Sequence, residues 1–195
     1  MYRFKILLIL TVGFLFIQSA DAQSRTDRLL INEAVRITGD SFTVSTQTPK
    51  GARIFAISQP NAQMLNAIDT GLTNLFALAR KNNYLKRTNY SDYTIFIAKP
   101  DRMKDSAKNY SPDIAVAANQ YAGSIYDQGG YVYAAGMVMA FNPCAFIIAE
   151  HTKDFERVSN VVSYEGEHLI LYHNDRKRYL ETADHSQGGG HPILQ

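Results

Sequence analysis

The side chains best suited to chemistry are concentrated near the end of the chain. The stretch from Asn160 to Leu194 holds four of the five histidines. Two carboxylates and one of these histidines, Glu165, Glu167 and His168, fall within a single predicted helix. Carboxylates act as general acids or bases, and histidines act in the same roles or as metal ligands. This stretch is therefore the first candidate for a functional site.

Glu165 interrupts an otherwise apolar face of the predicted helix, and His168 borders the same face. A carboxylate buried without partners is strongly destabilising, so Glu165 requires a metal, a cation or a proton. Two interpretations remain open, a structural ion pair or hydrogen bond in the core and a functional site. The apolar residues of this face are spaced three, four or seven positions apart, and they are Val158, Val161, Val162, Leu169 and Tyr172.

A glycine, Gly166, lies in the middle of the same predicted helix. Glycine at such a position costs about 1 kcal/mol relative to alanine, so it usually has a packing reason. We interpret Gly166 as the site of a close contact between the helix and the sheet. The alternative is the close approach of a substrate.

The segment Tyr164-Glu165-Gly166-Glu167-His168 resembles the His-Glu-x-x-His signature of the zincin metallopeptidases. The resemblance places Glu165 on the general-base glutamate and His168 on the second metal-binding histidine. Tyr164 departs from the pattern, because it occupies the place of the first metal-binding histidine.

The order of predicted elements over residues 52–173 is also similar to that of zincins. An early helix is followed by strands that end in a hairpin, and then by the motif helix. The resemblance implies a zinc-dependent hydrolase of peptide bonds. In the complete motif, two histidines four residues apart hold Zn²⁺, and the glutamate beside them activates a water. With His168 alone on the helix, a zinc site would need ligands from elsewhere.

The glycine-rich tail supplies two candidate ligands. His185 and His191 are separated by Ser-Gln-Gly-Gly-Gly, which is flexible enough to aim both imidazoles at one point. A site of three histidines with an open fourth position is a known catalytic zinc geometry. We therefore predict His168, His185 and His191 as metal ligands and Glu165 as the catalytic residue. The alternative is an exposed polar loop that forms no site.

The first residues are typical of a secretory signal peptide. Arg3 and Lys5 precede a mostly apolar run from Ile6 to Ile17, and Ala20-Asp21-Ala22 fits a small-x-small cleavage site. We expect cleavage after Ala22 and a secreted or periplasmic location. The alternative is an uncleaved membrane anchor, for which the apolar run is short. No second long apolar run follows, so no membrane span is expected after cleavage.

The charge balance argues against nucleic acid as a partner. Of 20 basic and 18 acidic residues, Arg3, Lys5 and Asp21 fall in the signal peptide, which leaves 18 and 17 in the mature chain. Nucleic-acid binding would require a basic patch or stripe. Twelve tyrosines and no tryptophan suit a surface that binds something polar, and the resemblance to metallopeptidases implies a polypeptide or another polar substrate. Cys144, the one cysteine, cannot form an internal disulfide, and we predict that it is a small packed residue.

The pattern of elements predicts a single α+β domain over residues 23–195, zincin-like in architecture, with a mixed sheet. A hairpin in this sheet packs against an early helix and the C-terminal motif helix. Ser58 is predicted to cap the early helix and Asp154 to cap the motif helix. Residues 23–50 read as polar with weak strand character. The predicted strands cover 51–58, 93–98, 113–118, 131–141 and 145–150, the predicted helices 60–82 and 155–173, and the tail loop 184–195.

Two functions follow from these observations. The first is an exported metal-dependent hydrolase, peptidase-like, with an atypical or degenerate site. The second is a non-enzymatic secreted or periplasmic domain, a binding module or structural domain, in which the glutamates and histidines form a structural cluster. The two functions differ in the geometry that they require. Only the first needs the four side chains to lie within a few ångströms of one another, and these are Glu165, His168, His185 and His191.

Overall fold

The computed structural model describes residues 25–100, 113–116, 123, 130, 132–183 and 190–194. These residues form an α+β structure with a mixed sheet, which confirms the predicted class. The helices are α1 (25–38), α2 (Ala62–Lys81), α3 (Phe155–Asn174) and α4 (Arg176–Thr182). The strands are β1 (Val44–Gln47), β2 (Arg53–Ala56), β3 (Tyr93–Ala98), β4 (Ile114–Val116), β5 (Val132–Ala134), β6 (Gly136–Phe141) and β7 (Cys144–Ala149).

Five strands form the main sheet in the order β1-β2-β3-β7-β6. Strands β2, β3 and β7 are parallel, and β1 and β6 pair antiparallel at the two edges. The central strands β3 and β7 are buried along their whole length, as expected of nearly continuous apolar runs that are covered on both faces. Strands β6 and β7 form the predicted hairpin. A β-bulge between Val138 and Ala140 interrupts their pairing.

Both faces of the sheet are covered, so the structure has three layers. On one face α2 and α3 bury the larger core, which includes Ile54, Ile68, Leu72, Ile95, Phe146 and Val162. On the other face α1 and a separate two-stranded sheet, β4–β5, bury a second core, which includes Leu30, Ile37, Phe96, Ile114, Val116 and Ile147.

Helices α2 and α3 approach each other closely at two glycines. A Cβ atom at Gly71 would lie 2.5 Å from the carbonyl oxygen of Ser159. A Cβ atom at Gly166 would lie 2.2 Å from Cδ2 of Leu75 in α2. Gly166 therefore serves a helix–helix contact, and the prediction that it contacts the sheet is wrong. A helical pattern shows that a glycine is buried, but not which layer lies against it.

The prediction of one continuous strand over 131–141 is wrong. The chain breaks at Ala135, and the two halves, β5 and β6, belong to different sheets. The prediction for 23–50 also missed a helix, because residues 25–38 form α1. Its buried residues Leu30, Ala34 and Ile37 are spaced three or four apart among polar neighbours.

The strand predicted over 93–98 is β3 with the same bounds, and the other predicted elements are observed with shifted bounds. The helix predicted over 60–82 is α2, and its cap is Asn61, whose side chain accepts a hydrogen bond from the backbone N–H of Met64, rather than Ser58. The helix predicted over 155–173 is α3, and Asp154 caps it as predicted. Strand β4 is shorter than the predicted 113–118, of which 117 and 118 lie outside the described residues.

Both ends of the chain are only partly described. The predicted signal peptide, residues 1–22, lies outside the described residues, as do 184–189 of the predicted tail loop. Residues 190–194, here termed the C-terminal segment, contain no helix or strand. In the part of the chain that the structure describes, no helix is both long and apolar enough to cross a membrane.

Candidate functional site

The side chains of the motif on helix α3 differ in burial. Glu167 is completely buried, with 0% of its surface exposed. Tyr164, Glu165 and His168 keep partial exposure. The motif therefore combines one completely buried carboxylate with three partly exposed polar side chains.

The buried carboxylate of Glu167 holds the C-terminal segment in place. It accepts hydrogen bonds from Nδ1 of His191 at 2.8 Å, from the backbone N–H of Ile193 at 2.8 Å and from that of Leu194 at 3.3 Å. Three N–H donors satisfy a carboxylate that has no access to water. This arrangement fixes the segment at its backbone and at the imidazole of His191.

Two further contacts anchor the same segment. Leu194 is fully buried and belongs to the larger core. The guanidinium of Arg178 in α4 donates a hydrogen bond to the carbonyl oxygen of Ile193. The C-terminal segment is thus docked on α3 and α4 by apolar burial and by hydrogen bonds at both peptide groups of Ile193.

The docked segment brings His191 against His168. Because Glu167 accepts from Nδ1 of His191, that nitrogen carries the proton, and Nε2 presents its lone pair. Nε2 of His168 lies 3.1 Å from Nε2 of His191, and the two rings are nearly perpendicular. This spacing corresponds to an N–H···N hydrogen bond. It also suits two ligands of one tetrahedral metal, since Zn–N bonds of 2.0–2.1 Å place two such nitrogens roughly 3.3 Å apart.

Tyr164 packs flat against the imidazole of His191. Their ring centroids are 5.0 Å apart, and the ring planes differ by 17°. Tyr164 lies one helical turn before His168, which is the place of the first histidine in the zincin motif. In this structure it supports the ring of His191 by stacking.

Glu165 lies between α3 and the edge strand β6. The backbone N–H of Val138, beside the β-bulge, donates a hydrogen bond to its carboxylate. Part of the Glu165 side chain is exposed, but the protein atoms packed around its carboxyl group desolvate it, and this effect dominates and raises the pKa of Glu165 to about 8. A carboxyl group with a pKa near neutrality is suited to both accept and release a proton.

Glu165 and His191 line the same cavity, which has a volume of about 260 Å³. One wall comes from β6 and α3, including Met137 and Val161, and the opposite wall comes from the second sheet, including Val116 and Val132. The cavity therefore lies beside β6 of the main sheet, where this strand, α3 and the second sheet meet.

The predicted site residues are brought together in part. His168 and His191 are in contact, and Glu165 lines the cavity beside His191. His185, the third predicted ligand, lies outside the described residues. His173 points away from this group, and its Nε2 lies 2.6 Å from the carbonyl oxygen of Phe141. Among the described residues, no group of three or more histidine, cysteine, aspartate or glutamate side chains is arranged to hold a metal ion.

Glu167 was not predicted as a site residue, although it organises the cluster. Its signal in the sequence is weak, because Glu167 falls outside the apolar stripe that contains Glu165. Ser163 and Ile170, which lie four residues before and three residues after it, are also buried.

No family model, no curated protein and no solved structure matches this chain. The geometry of Glu165, Glu167, His168 and His191 is therefore the basis for assigning a function.

Proposed function

We propose that this protein is an exported metal-dependent hydrolase that acts on peptide bonds. Its metal ligands are His168 and His191, and its catalytic residue is Glu165. The observation that supports the proposal most is the 3.1 Å separation of the two Nε2 atoms, with Glu167 on the outer nitrogen of His191.

Two features support a zinc ion, namely the ligand type and the carboxylate behind one of the proposed ligands. Imidazole is a preferred zinc ligand, and metal-binding histidines usually donate their other N–H to a carboxylate or carbonyl group. Glu167 supplies that carboxylate for His191. Two histidines do not complete a site, so the proposal requires a third ligand. His185 remains the predicted one.

Glu165 would move the proton in the proposed reaction. A bound metal would polarise the substrate carbonyl and acidify a water. Glu165 would accept the proton of that water and deliver it to the leaving amine. The hydrogen bond from Val138 fixes the carboxylate while it does so. A positive charge nearby would lower the pKa of Glu165 and favour the ionised form that acts as a base.

The substrate proposed is an extended polypeptide. Among the described residues β6 is the last strand of the main sheet, and its residues Gly136 and Met137 line the same cavity as Glu165. An extended peptide can add to such an edge by backbone hydrogen bonds. A motif helix packed beside an antiparallel edge strand of a mixed sheet is also why we propose a zincin-like architecture. Export is proposed from the signal-like residues 1–22 alone.

The test begins with the metal content of the purified mature protein. Elemental mass spectrometry should find about one equivalent of zinc or another transition metal per protein molecule, and a chelator should remove this metal. Loaded protein should cleave a library of internally quenched peptides. The Glu165→Gln variant should keep the metal and the fold but lose cleavage. A variant that retained full cleavage would exclude Glu165 as the base.

The second candidate function is a non-enzymatic binding or structural domain. It is favoured by the completeness of the hydrogen bonds around Glu167, which would stabilise the C-terminal segment without any metal. Under this alternative His168 and His191 share a hydrogen bond. Wild-type protein that binds no transition metal at micromolar concentration would then leave the structural cluster as the better account.

A further inference from the structure

We propose that the groove between α2 and α3, on the solvent side of the two helices, binds an uncharged oligosaccharide. The groove has a volume of about 580 Å³ and is lined by residues of both helices. It shares no lining residue with the cavity that contains Glu165, so this inference does not depend on the proposed hydrolase function.

The floor of the groove is formed by two small side chains. Ala67 of α2 and Ser159 of α3 are almost fully buried, and the hydroxyl of Ser159 donates a hydrogen bond to the carbonyl oxygen of Ala67 at 2.9 Å. Because these residues are small, the two helices approach closely, and the longer side chains beside them form two rims. The floor is therefore firmly packed, and the rims are free to contact a ligand.

The rims contain amide side chains that the described part of the chain leaves without a partner. Gln63, Asn66 and Asn74 of α2 are exposed, as is Asn160 of α3, and their side chains hydrogen-bond to none of the described residues. An amide offers donors and an acceptor together, which matches sugar hydroxyl groups that both donate and accept. The hydroxyl of Thr70 donates to the carbonyl oxygen of Asn66, so its lone pairs remain for a ligand.

The polar side chains of α2 follow the groove at a regular spacing. Asn66, Thr70 and Asn74 are four residues apart, so they repeat at about 6 Å along the helix axis. A sugar ring in an extended oligosaccharide advances by a similar length along its chain. Successive rings can therefore contact successive side chains of the helix.

The composition of α2 favours a binding role for this face over a role in helix stability. Asparagine and threonine are weaker helix formers than alanine, lysine or glutamate, and the exposed face of a surface helix usually carries charges. The exposed residues of α2 before Arg80 are all uncharged, and they are Ala62, Gln63, Asn66, Thr70, Asn74 and Ala77.

The charge of the lining favours a neutral ligand. Among the described residues no lysine or arginine lines the groove, and Glu156 is its one carboxylate. An anionic sugar would approach Glu156 without a cation to offset the repulsion. An uncharged sugar gains hydrogen bonds from the amides and from Glu156 without this cost.

Phe155 adds an aromatic surface to the polar lining. Its ring is partly buried against the larger core and also lines the groove, so it is held in position for stacking on the C–H face of a sugar ring. A polypeptide partner fits this lining less well, because the centres of protein interfaces are apolar and rich in aromatic side chains, and this groove contains one aromatic ring.

A glycan array tests the class of ligand. Purified mature protein is applied to neutral, acidic and sulfated oligosaccharides, with cellotriose and triacetylchitotriose among the neutral probes and trigalacturonic acid among the acidic ones. Neutral glycans should bind, and acidic glycans should bind about 10-fold or more weakly, since repulsion from Glu156 opposes them. An array on which no neutral glycan binds, or on which acidic glycans bind best, would overturn the proposal.

An NMR titration tests the position of the site. The neutral glycan that binds most tightly on the array should shift the side-chain amide signals of Asn66, Asn74 and Asn160. The backbone amide signal of Gly136, beside Glu165, should not move. Shifts at Gly136 without shifts at the three asparagines would place the sugar in the other cavity and would contradict the proposal.

Two groove variants separate binding from stability. Asn66→Ala and Asn74→Ala should each weaken glycan binding about 10-fold, which corresponds to one or two lost hydrogen bonds. Both should unfold at the temperature of the wild type or above it, because alanine is the better helix former. Asn32→Ala, at an exposed position of α1, is the matched control and should leave binding unchanged.

Two outcomes of these variants would overturn the assignment of the groove. One is unchanged glycan binding in both Asn66→Ala and Asn74→Ala. The other is a wild type that sediments as a dimer while Asn66→Ala sediments as a monomer, because the groove would then be an interface between two copies of this chain.

Discussion

Glu165 packs its side chain against the backbone of Gly136, across the gap between α3 and the edge strand. A Cβ atom added at Gly136 would lie 2.9 Å from Cγ of Glu165 and 2.8 Å from Cγ1 of Val161. The absence of a side chain at Gly136 is thus what allows the proposed base to lie beneath β6. Glu165 is positioned from two sides, by this contact and by the N–H of Val138.

The Gly136→Ala variant tests this positioning. The new methyl group should displace the carboxyl group of Glu165 and strain Val161, with a loss of about 1–3 kcal/mol in the free energy of unfolding, as in other overpacked sites. Urea unfolding measures this loss. The double variant Gly136→Ala/Val161→Ala relieves one of the two contacts and should recover part of it. An unchanged stability in Gly136→Ala would show that the strand and helix are not in contact here.

The raised pKa of Glu165 predicts that its contribution to stability falls as pH rises. Below about pH 4.5 the carboxyl group is protonated in both the folded and the unfolded protein. Between pH 4.5 and about 8 the unfolded chain releases the proton while the folded protein keeps it, so stability is lost across this window. Each unit of pKa difference corresponds to about 1.4 kcal/mol.

The Glu165→Gln variant is the control for this pH effect, and both it and the wild type are treated with a chelator first. Urea unfolding at pH 5, 6.5 and 8 should show a steeper decline for the wild type than for the variant. Parallel curves for the two proteins would mean that water reaches the carboxyl group and that its pKa is ordinary.

The Glu167→Gln variant should loosen the C-terminal segment. An amide cannot replace a carboxylate that receives three N–H donors, and hydrogen bonds to a charged group contribute about 1.5–3 kcal/mol each. We expect lower thermal stability, faster proteolysis near His191 and, if the protein binds zinc, a 10–100-fold loss of affinity. Glu156→Gln, at an exposed position of the same helix, is the control and should change none of these. Equal behaviour of the two variants would contradict the role given to Glu167.

The Tyr164→His variant should bind transition metals more tightly than the wild type. It places a second histidine on α3, four residues before His168, which is the spacing of the intact zinc motif. Tyr164→Phe keeps a ring stacked on His191 but adds no ligand, so it should leave the affinity unchanged. Calorimetric titration with Zn²⁺ measures all three proteins. The proposed ligands also predict weaker binding in His168→Ala, His185→Ala and His191→Ala, and a histidine whose removal had no effect would leave the ligand set.

Cys144 should be inert in the folded protein. It is fully buried, as predicted, and burial raises the pKa of its thiol to about 12. Iodoacetamide at pH 8 should therefore modify it only after denaturation, as measured by mass spectrometry. Modification of native protein at the rate of a free thiol would show that β7 opens readily.

The sequence predicted the elements that carry strong periodic patterns. The apolar stripe of α2 and the apolar runs of β3 and β7 follow directly from local burial, and their observed bounds differ from the predicted ones by only one or two residues. Two of the three predicted ligands, His168 and His191, are in contact. The prediction placed them together through the flexibility of the glycine tail.

The other features of the fold and of the site depend on contacts between residues far apart in sequence, which no local pattern encodes. Glu167 is buried because α3 is covered by the sheet, by α2 and by the C-terminal segment, so its buried arc is wider than one apolar stripe. The break at Ala135 arises because β5 and β6 pair with different partners. Pairing partners lie far apart in sequence, and a continuous β-rich run does not reveal where the chain changes sheets.

The glycine contacts between α2 and α3 make the two histidines unequal in their motions. Gly71 lies against the backbone carbonyl of Ser159, so α2 and α3 are closely packed and His168 is carried by this helix pair. His191 is carried by a five-residue segment that is held mainly by Glu167 and Leu194. Local opening of such a segment requires much less free energy than global unfolding. Opening of this segment would separate the two imidazoles and withdraw Leu194 from the larger core, while the strands and helices of the main sheet could remain folded.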